Sequence, residues 1–408
     1  MRKLAYWFSL LMIFLIPWES MFELPGLGTA SQLIGMVVLG IWAFSVIQRG
    51  GMYKLTIFHA SVAIFFLWNL TSILWSFDQE ASFDRGIAHL RLFGMMILIW
   101  DLYDSSPLML HGFLAVVLGS FAPIIGVTIN FVQQRAQSWG RYSAGNDNAN
   151  TTGIIIALAV PFALYLATTP KSSFWHKLIG YIFIPAAIFG IALTATRFAL
   201  LMIMPALLFG LGAVVQLKPA YRVVIWSLFV IGLFTLPFFI PSGSLQRLST
   251  AGAEISGGDL NGRTEFWMYG LNMWIHKPLQ GIGSNAFPSA VQTILGIPRS
   301  IHNSFLAILV ETGVIGLILF VLLIVLGFAP LRQLPFWDAL FWLSMLLVWA
   351  LGNMAVVWVH TKATWLMLSF LAVAIRNYRA TQSVELTNKN KVSYDYVQTS
   401  DSILARPL

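Results

Sequence analysis

Residues 303–328 read NSFLAILVETGVIGLILFVLLIVLGF. Apart from Glu311 the run carries no charge, and it exceeds the roughly 20 apolar residues that a helix needs to cross a bilayer. A backbone in hydrocarbon must satisfy its own hydrogen bonds, so the run predicts a transmembrane α-helix. Similar stretches recur on both sides of it. They fall at about 4–18, 29–48, 55–75, 87–103, 107–130, 151–169, 177–194, 198–216, 222–240, 303–328, 337–357 and 362–376. The expected fold is therefore all-α and polytopic, with about 12 transmembrane helices. The polytopic domain is expected over 1–376, and 377–408 is expected to be a disordered polar cytoplasmic tail.

Composition supports this reading. The 408 residues are 58% hydrophobic and only 10% charged, with a mean hydropathy of +0.78. A soluble domain carries about 25% charge, so this chain has too little to cover a water-facing surface. The net charge of +8 fits the Lys/Arg excess of cytoplasmic loops. No basic cluster is interleaved with aromatics, which argues against nucleic acid. The absence of cysteine excludes disulfides, thiolate metal sites and cysteine nucleophiles. Leu4 to Trp18 follows Arg2 and Lys3 as a signal peptide would, but no small-residue cleavage site follows, so it is read as a retained first helix.

With the N-terminus inside, the cytoplasmic loops hold Arg49/Lys54, Lys171/Lys177, Lys218/Arg222, Arg332 and Arg376/Arg379. The loop at Asp104 lacks such a charge. The acids Glu19, Glu23, Asp78, Glu80 and Asp84 fall outside. One long loop, 241–302, separates the ninth and tenth spans on the outer, periplasmic side. It is Gly/Ser/Thr-rich at first (PSGSLQRLSTAGAEISGGDLNGR) and then takes helical spacing (TEFWMYGLNMWIHKPL). A connection this long is disordered or functional. Aromatics, His and Arg near its membrane ends favour function.

Several arginines oppose the usual bias by lying outside or at the outer edge: Arg85, Arg135, Arg141, Arg197, Arg247, Arg263 and Arg299. Arg197, in LTATRFALLM, is either a snorkelling anchor or a guanidinium that binds a phosphate bidentately. Arg91 and Asp101, inside the fourth span, suggest an internal ion pair or snorkelling. His302 lies beside Arg299, Asn303 and Ser304. It is either an interface anchor or a general base on a sugar hydroxyl, and His276 and His360 are the other histidines placed near the outer side. Glu311, about two turns into its span, must be paired or protonated. GRYSAGNDNAN (140–150) predicts a capped helix start at Asn150 or Thr151, or amides that bind sugar hydroxyls. Asp78, Glu80 and Asp84 have a spacing that a hard cation accepts, yet a short acidic cluster is ordinarily a solvated loop, and no metal is assigned. GIGSNAF lacks the lysine of a phosphate loop, so no nucleotide or other cofactor is expected.

Taken in order, GNDNAN, TATR, GRTEFWMYGLNMWIHKPLQGIGSNAF and HNSFLAILVETGVIGLILF resemble the O-antigen ligase and O-antigen polymerase superfamily over about residues 141–328. The family's Arg, Trp and His-Pro-Leu-x-Gly-x-Gly pattern falls on Arg263, Trp267 and Lys277-Pro278-Leu279-Gln280-Gly281-Ile282-Gly283, with His276 displaced by one position. Its His-Asn and Glu-x-Gly fall on His302, Asn303, Glu311 and Gly313. The resemblance implies metal-independent glycosyl transfer at the outer face of the bacterial inner membrane. The donor would be a glycan on undecaprenyl diphosphate. The acceptor would be lipid A–core in a ligase or another lipid-linked glycan in a polymerase. Arg197, Arg263 and His302 are the expected catalytic residues. Arg141, Arg299, Asn303, Glu311 and Trp267 are the expected substrate contacts. A transporter or flippase would show broken midplane helices and repeat symmetry, whereas polar chemistry here gathers at one face.

Overall fold

The computed structural model describes residues 1–21, 23–24, 28–137, 140–215, 217–223 and 262–404, with isolated positions between 226 and 246. Apart from those positions and residues 222–223, the expected ninth span (222–240) and the Gly/Ser/Thr-rich half of the following loop, Arg247 included, lie outside the described residues. The helices are α1 (Arg2–Leu15), α2 (Ala30–Arg49), α3 (Ile57–Thr71), α4 (Gln79–Leu102), α5 (Ser106–Val132), α6 (Ala149–Thr168), α7 (Phe174–Thr194) and α8 (Arg197–Val214). They continue with α9 (Arg263–His276), α10 (Phe287–Leu295), α11 (Ser304–Phe328), α12 (Phe336–Ala355) and α13 (Lys362–Leu404). Two short strands, β1 (Glu23–Leu24) and β2 (Gly28–Thr29), pair antiparallel before α2.

The chain is an all-α, multi-pass membrane protein. Among the described residues nine helices are long and apolar enough to cross a bilayer. These match the expected spans other than the fourth, ninth and twelfth. The fourth and twelfth coincide with α4, which mixes charge into its apolar face, and with the first part of α13. Helix α13 runs on through Leu404, so the segment after Arg379 continues as helix.

Burial separates core from lipid-facing helices. Helix α6 is apolar all round and 89% of its spanning window is buried, against 17% for α2. A helix without a polar stripe belongs inside a bundle, and α6 is the interior helix here. Phe113 of α5 packs at 4.8 Å from Phe162, 5.7 Å from Phe341 and 5.2 Å from Phe370, which draws α5, α6, α12 and α13 together. The N-cap of α6 is Asn148, whose side chain accepts from the Thr151 N–H at 2.9 Å, two residues before the nearer expected cap.

Charges inside this bundle find different partners from those their spacing suggested. Asp101 accepts from Arg49 at 2.5 Å and from the Trp42 indole at 2.9 Å, while Arg91 is exposed. Ten residues apart on one helix, Arg91 and Asp101 cannot meet. Asp104 is paired with Arg2 at 2.6 Å, so the N-terminus supplies the positive charge its own loop lacks.

Candidate active site

The motif segment 277–283 is built into a break in α11. Gly313 has φ 70° and ψ −174°, which interrupts the helix after Glu311 and Thr312. In an unbroken helix the N–H groups of Val314 and Ile315 would bond the carbonyls of Val310 and Glu311. Here they donate to Pro278 at 2.9 Å and Leu279 at 3.3 Å. The two freed carbonyls accept from Ile282 at 3.0 Å and Gly283 at 2.9 Å. The loop thus exchanges four backbone bonds with the helix, as irregular structure in a membrane protein requires its polar groups to find protein partners. A Cβ on Gly313 would stand 2.1 Å from the Leu279 oxygen, and one on Gly281 2.4 Å from the Glu311 carbonyl carbon. Trp68 and Trp75 close the arrangement through their indole N–H groups, to Thr312 at 2.9 Å and Gln280 at 3.1 Å. The glycines of both motifs therefore serve one joint between loop and helix.

Glu311 belongs to the same joint. Its buried carboxylate accepts from the Asn285 N–H at 2.9 Å and from the Phe287 N–H at the start of α10. Arg85 donates to the Asn285 side chain and lies within electrostatic reach of Glu311. The carboxylate thus meets two backbone amides and has a guanidinium nearby. Below α9, Ile282, Phe287, Val291, Ile301 and Val310 form a small second core that carries the whole segment.

This support brings the outer arginines and His302 to one end of the bundle. Helix α8 opens with Arg197, and the ring of the next residue, Phe198, lies under the Arg263 guanidinium at 5.6 Å. One turn along α9, Trp267 donates its indole N–H to the Ile301 carbonyl at 3.0 Å and so fixes the segment leading into His302. His302 is left-handed, with φ 51°, a conformation that costs a non-glycine residue on the order of 1 kcal/mol or more and tends to accompany function. Asn303 caps α11, accepting from the Leu306 N–H at 3.1 Å. Ser304 accepts from the Trp358 N–H at 2.8 Å and donates to the Val356 carbonyl at 3.0 Å, tying the helix start to the α12–α13 connection.

Electrostatics at this end favour anions and a neutral imidazole. Burial first, then the charges of Arg263 and Arg299, press the His302 pKa down to about 4. The ring is therefore neutral at pH 7 and able to accept a proton. Arg299 is exposed on the approach to it. Arg141 stands behind the site: it donates to the Thr194 carbonyl at 3.0 Å, to Thr196 Oγ1 at 3.2 Å and to Asn150 Oδ1 at 2.6 Å. These bonds brace the left-handed turn at Ala195 that aims α8, and Arg197 with it.

Two features escaped sequence reasoning. His89, deep in α4, hydrogen-bonds His360 at 2.9 Å, so it joins the histidines expected near the outer side. Burial, with Arg85 and His89, holds His360 well below the ordinary histidine range. Arg85, one of several outer arginines in the sequence, becomes distinctive only through Asn285 and Glu311. Asp78, expected in an acidic loop, is the N-cap of α4 and accepts from Ala81 and Ser289. Among the described residues no three His, Cys, Asp or Glu side chains gather as a metal site.

A search of curated proteins finds no match. A family comparison does, over a stretch that takes in Arg197, Arg263, Trp267, Arg299, His302, Asn303 and Glu311 and leaves out Arg141. Residues 181–321 match the family described as O-antigen ligase, so this stretch of the chain is similar to that family.

Proposed function

We propose that the protein is an O-antigen ligase, which transfers a glycan from undecaprenyl diphosphate to a lipid A–core acceptor at the periplasmic face of the bacterial inner membrane. The family acts on lipid-linked glycans, and the observation that supports glycosyl transfer is the neutral His302 near Arg263 and Arg299; the choice of ligase over polymerase rests on the description of the matched family. Cleavage of the bond between the anomeric carbon and the diphosphate oxygen leaves both bonding electrons on the leaving group. Arg197 and Arg263 neutralise that growing charge, and fixed cations of this kind need no reorganisation during reaction. The acceptor hydroxyl attacks the opposite face of the anomeric carbon. His302 takes its proton as the new C–O bond forms, so the sugar inverts and no metal is invoked. Arg299 lies where it can meet donor phosphate. Trp267, Asn303, Glu311 and Arg141 hold the reacting groups in place.

The depressed basicity of His302 fits this scheme. An arriving diphosphate offsets the neighbouring guanidinium charges, so the imidazole becomes a stronger base once the donor is bound. Deletion of the gene, followed by gel and mass-spectrometric analysis of surface glycan and lipid carrier, tests the assignment. Long polymers on undecaprenyl diphosphate with bare lipid A–core are the expected result. Single repeat units on the carrier or the core would instead identify a polymerase, with the same residues in the same roles.

A further inference from the structure

The end of the bundle opposite His302 holds a second cationic site. A cavity of about 570 Å³ opens there between the start of α3, the end of α4, the end of α11 and the middle of α13. Lys54, Arg376 and Arg379 line it together with Tyr53 and Trp100, and none of its lining residues is acidic. The Arg376 guanidinium lies against the Tyr53 ring at 4.4 Å and the Trp100 ring at 4.6 Å, and it donates to the carbonyls of Trp100 and Tyr103. Its charge is thus fixed in the cavity wall before any ligand arrives. The nearest acids, Asp101 and Asp104, lie within electrostatic reach of Arg376 but make their ion pairs with Arg49 and Arg2. Among the described residues Arg379 donates from Nε to Gln333 at 2.9 Å and shows no other hydrogen bond, and the exposed Lys54 ammonium engages no carboxylate.

The surroundings of the cavity are those of a membrane interface rather than of bulk water. Ile57 in its wall is 73% exposed, and exposed apolar side chains of Ile64 on α3 and of Leu322 and Val325 on α11 lead away from it toward the middle of the bundle. Rings and cations at helix ends, with apolar side chains beyond them, match the layering of headgroup and acyl chain. We infer that this cavity binds the phosphate headgroup of an anionic phospholipid, with Lys54, Arg376 and Arg379 meeting the phosphate and the α3–α11 surface meeting the acyl chains. This lipid site is separate from the candidate active site, since the two lie at opposite ends of α4 and α11.

Binding of fluorescent phosphatidylglycerol to the purified full chain in detergent tests the inference, with unlabelled phosphatidylglycerol, phosphatidylcholine or inorganic phosphate as competitors. Phosphatidylglycerol is expected to compete best. Each cation near a phosphate contributes about fivefold, so Lys54→Gln with Arg379→Gln is expected to weaken binding on the order of twentyfold. Both side chains are exposed, and thermal unfolding reports whether the fold is kept. Ala380→Glu, an exposed lining position that brings a negative charge, is a second variant with the same expected loss. Equal competition by phosphatidylcholine, or unchanged binding in a folded variant, overturns the inference. Inorganic phosphate competing as well as the lipid would make this an ion site and overturn the lipid assignment.

Discussion

A Cβ placed on Gly313 would stand 2.1 Å from the carbonyl oxygen of Leu279. At φ 70° and ψ −174° the backbone there also occupies a region that is essentially glycine-only. Gly313→Ala must therefore move either the helix or the loop that bonds into its break. The expected cost is at least about 3 kcal/mol, read as a large loss of folded protein in detergent and a lower unfolding temperature. Gly296→Ala is the control, since its φ is 74° but nothing lies within 4 Å of its Cβ position. It is expected to cost about 1 kcal/mol. Similar stability for the two variants would contradict the exchange of bonds between loop and helix.

The Arg263 guanidinium over Phe198 links α9 to the start of α8, and the proposed role of Arg263 is to neutralise a leaving diphosphate. Removal of one preorganised stabiliser costs about 10²- to 10³-fold in kcat. Arg263→Gln is expected to show that loss in a proteoliposome transfer assay with a lipid-linked glycan donor. Arg263→Lys keeps the charge but not the planar fork, so it should recover only part of the rate. Arg141→Gln should differ in kind, because Arg141 braces the turn at Thr194 and Thr196. Its main expected effect is a lowered unfolding temperature. Full activity of Arg263→Gln would remove that residue from the mechanism.

Much of this architecture was legible because the physics is local. The run 303–328 announces a span by composition alone, and Arg197, Arg263 and His302 are conspicuous as ionisable groups at an outer membrane edge. What the sequence hid depends on contacts between distant segments. Asp101 looked like a partner for Arg91 because both lie in one span, yet its ion pair comes from Arg49 on another helix. Glu311 could be expected either to contact substrate or to orient a neighbouring helix, and the bond from Asn285 gives its place in the joint around Gly313. His89 carried no signal at all, since its significance is a partner 271 residues away.

His302 provides a test through pH. Its pKa is pressed down to about 4 by burial and by Arg263 and Arg299, so the group is protonated, and useless as a base, only below that value. The acid limb of kcat/KM, which reports the free protein, is expected near pH 4. Replacement of Arg299 by Gln removes a charge that disfavours the imidazolium, so the pKa rises and the limb moves to higher pH. Donor binding acts in the same direction, which places the kcat limb above the kcat/KM limb. A limb unmoved in Arg299→Gln, or moved to lower pH, would separate His302 from the proton transfer.

The indole hydrogen bond of Trp267 suggests a role through the backbone. Its indole N–H holds the Ile301 carbonyl at 3.0 Å, and the next residue is His302 in its left-handed conformation. Trp267→Phe keeps most of the ring's apolar contact and removes the donor, which leaves that carbonyl without its partner at a cost of about 1–3 kcal/mol. His302 is then free to relax toward an ordinary backbone conformation. A displacement of about 1 Å at a catalytic group costs up to about 10²-fold. The variant is accordingly expected to lose roughly 10- to 100-fold in kcat while KM for the donor changes little, because the arginines proposed to meet the diphosphate are untouched. A rise in KM at unchanged kcat would show instead that Trp267 contacts the donor and does not position His302.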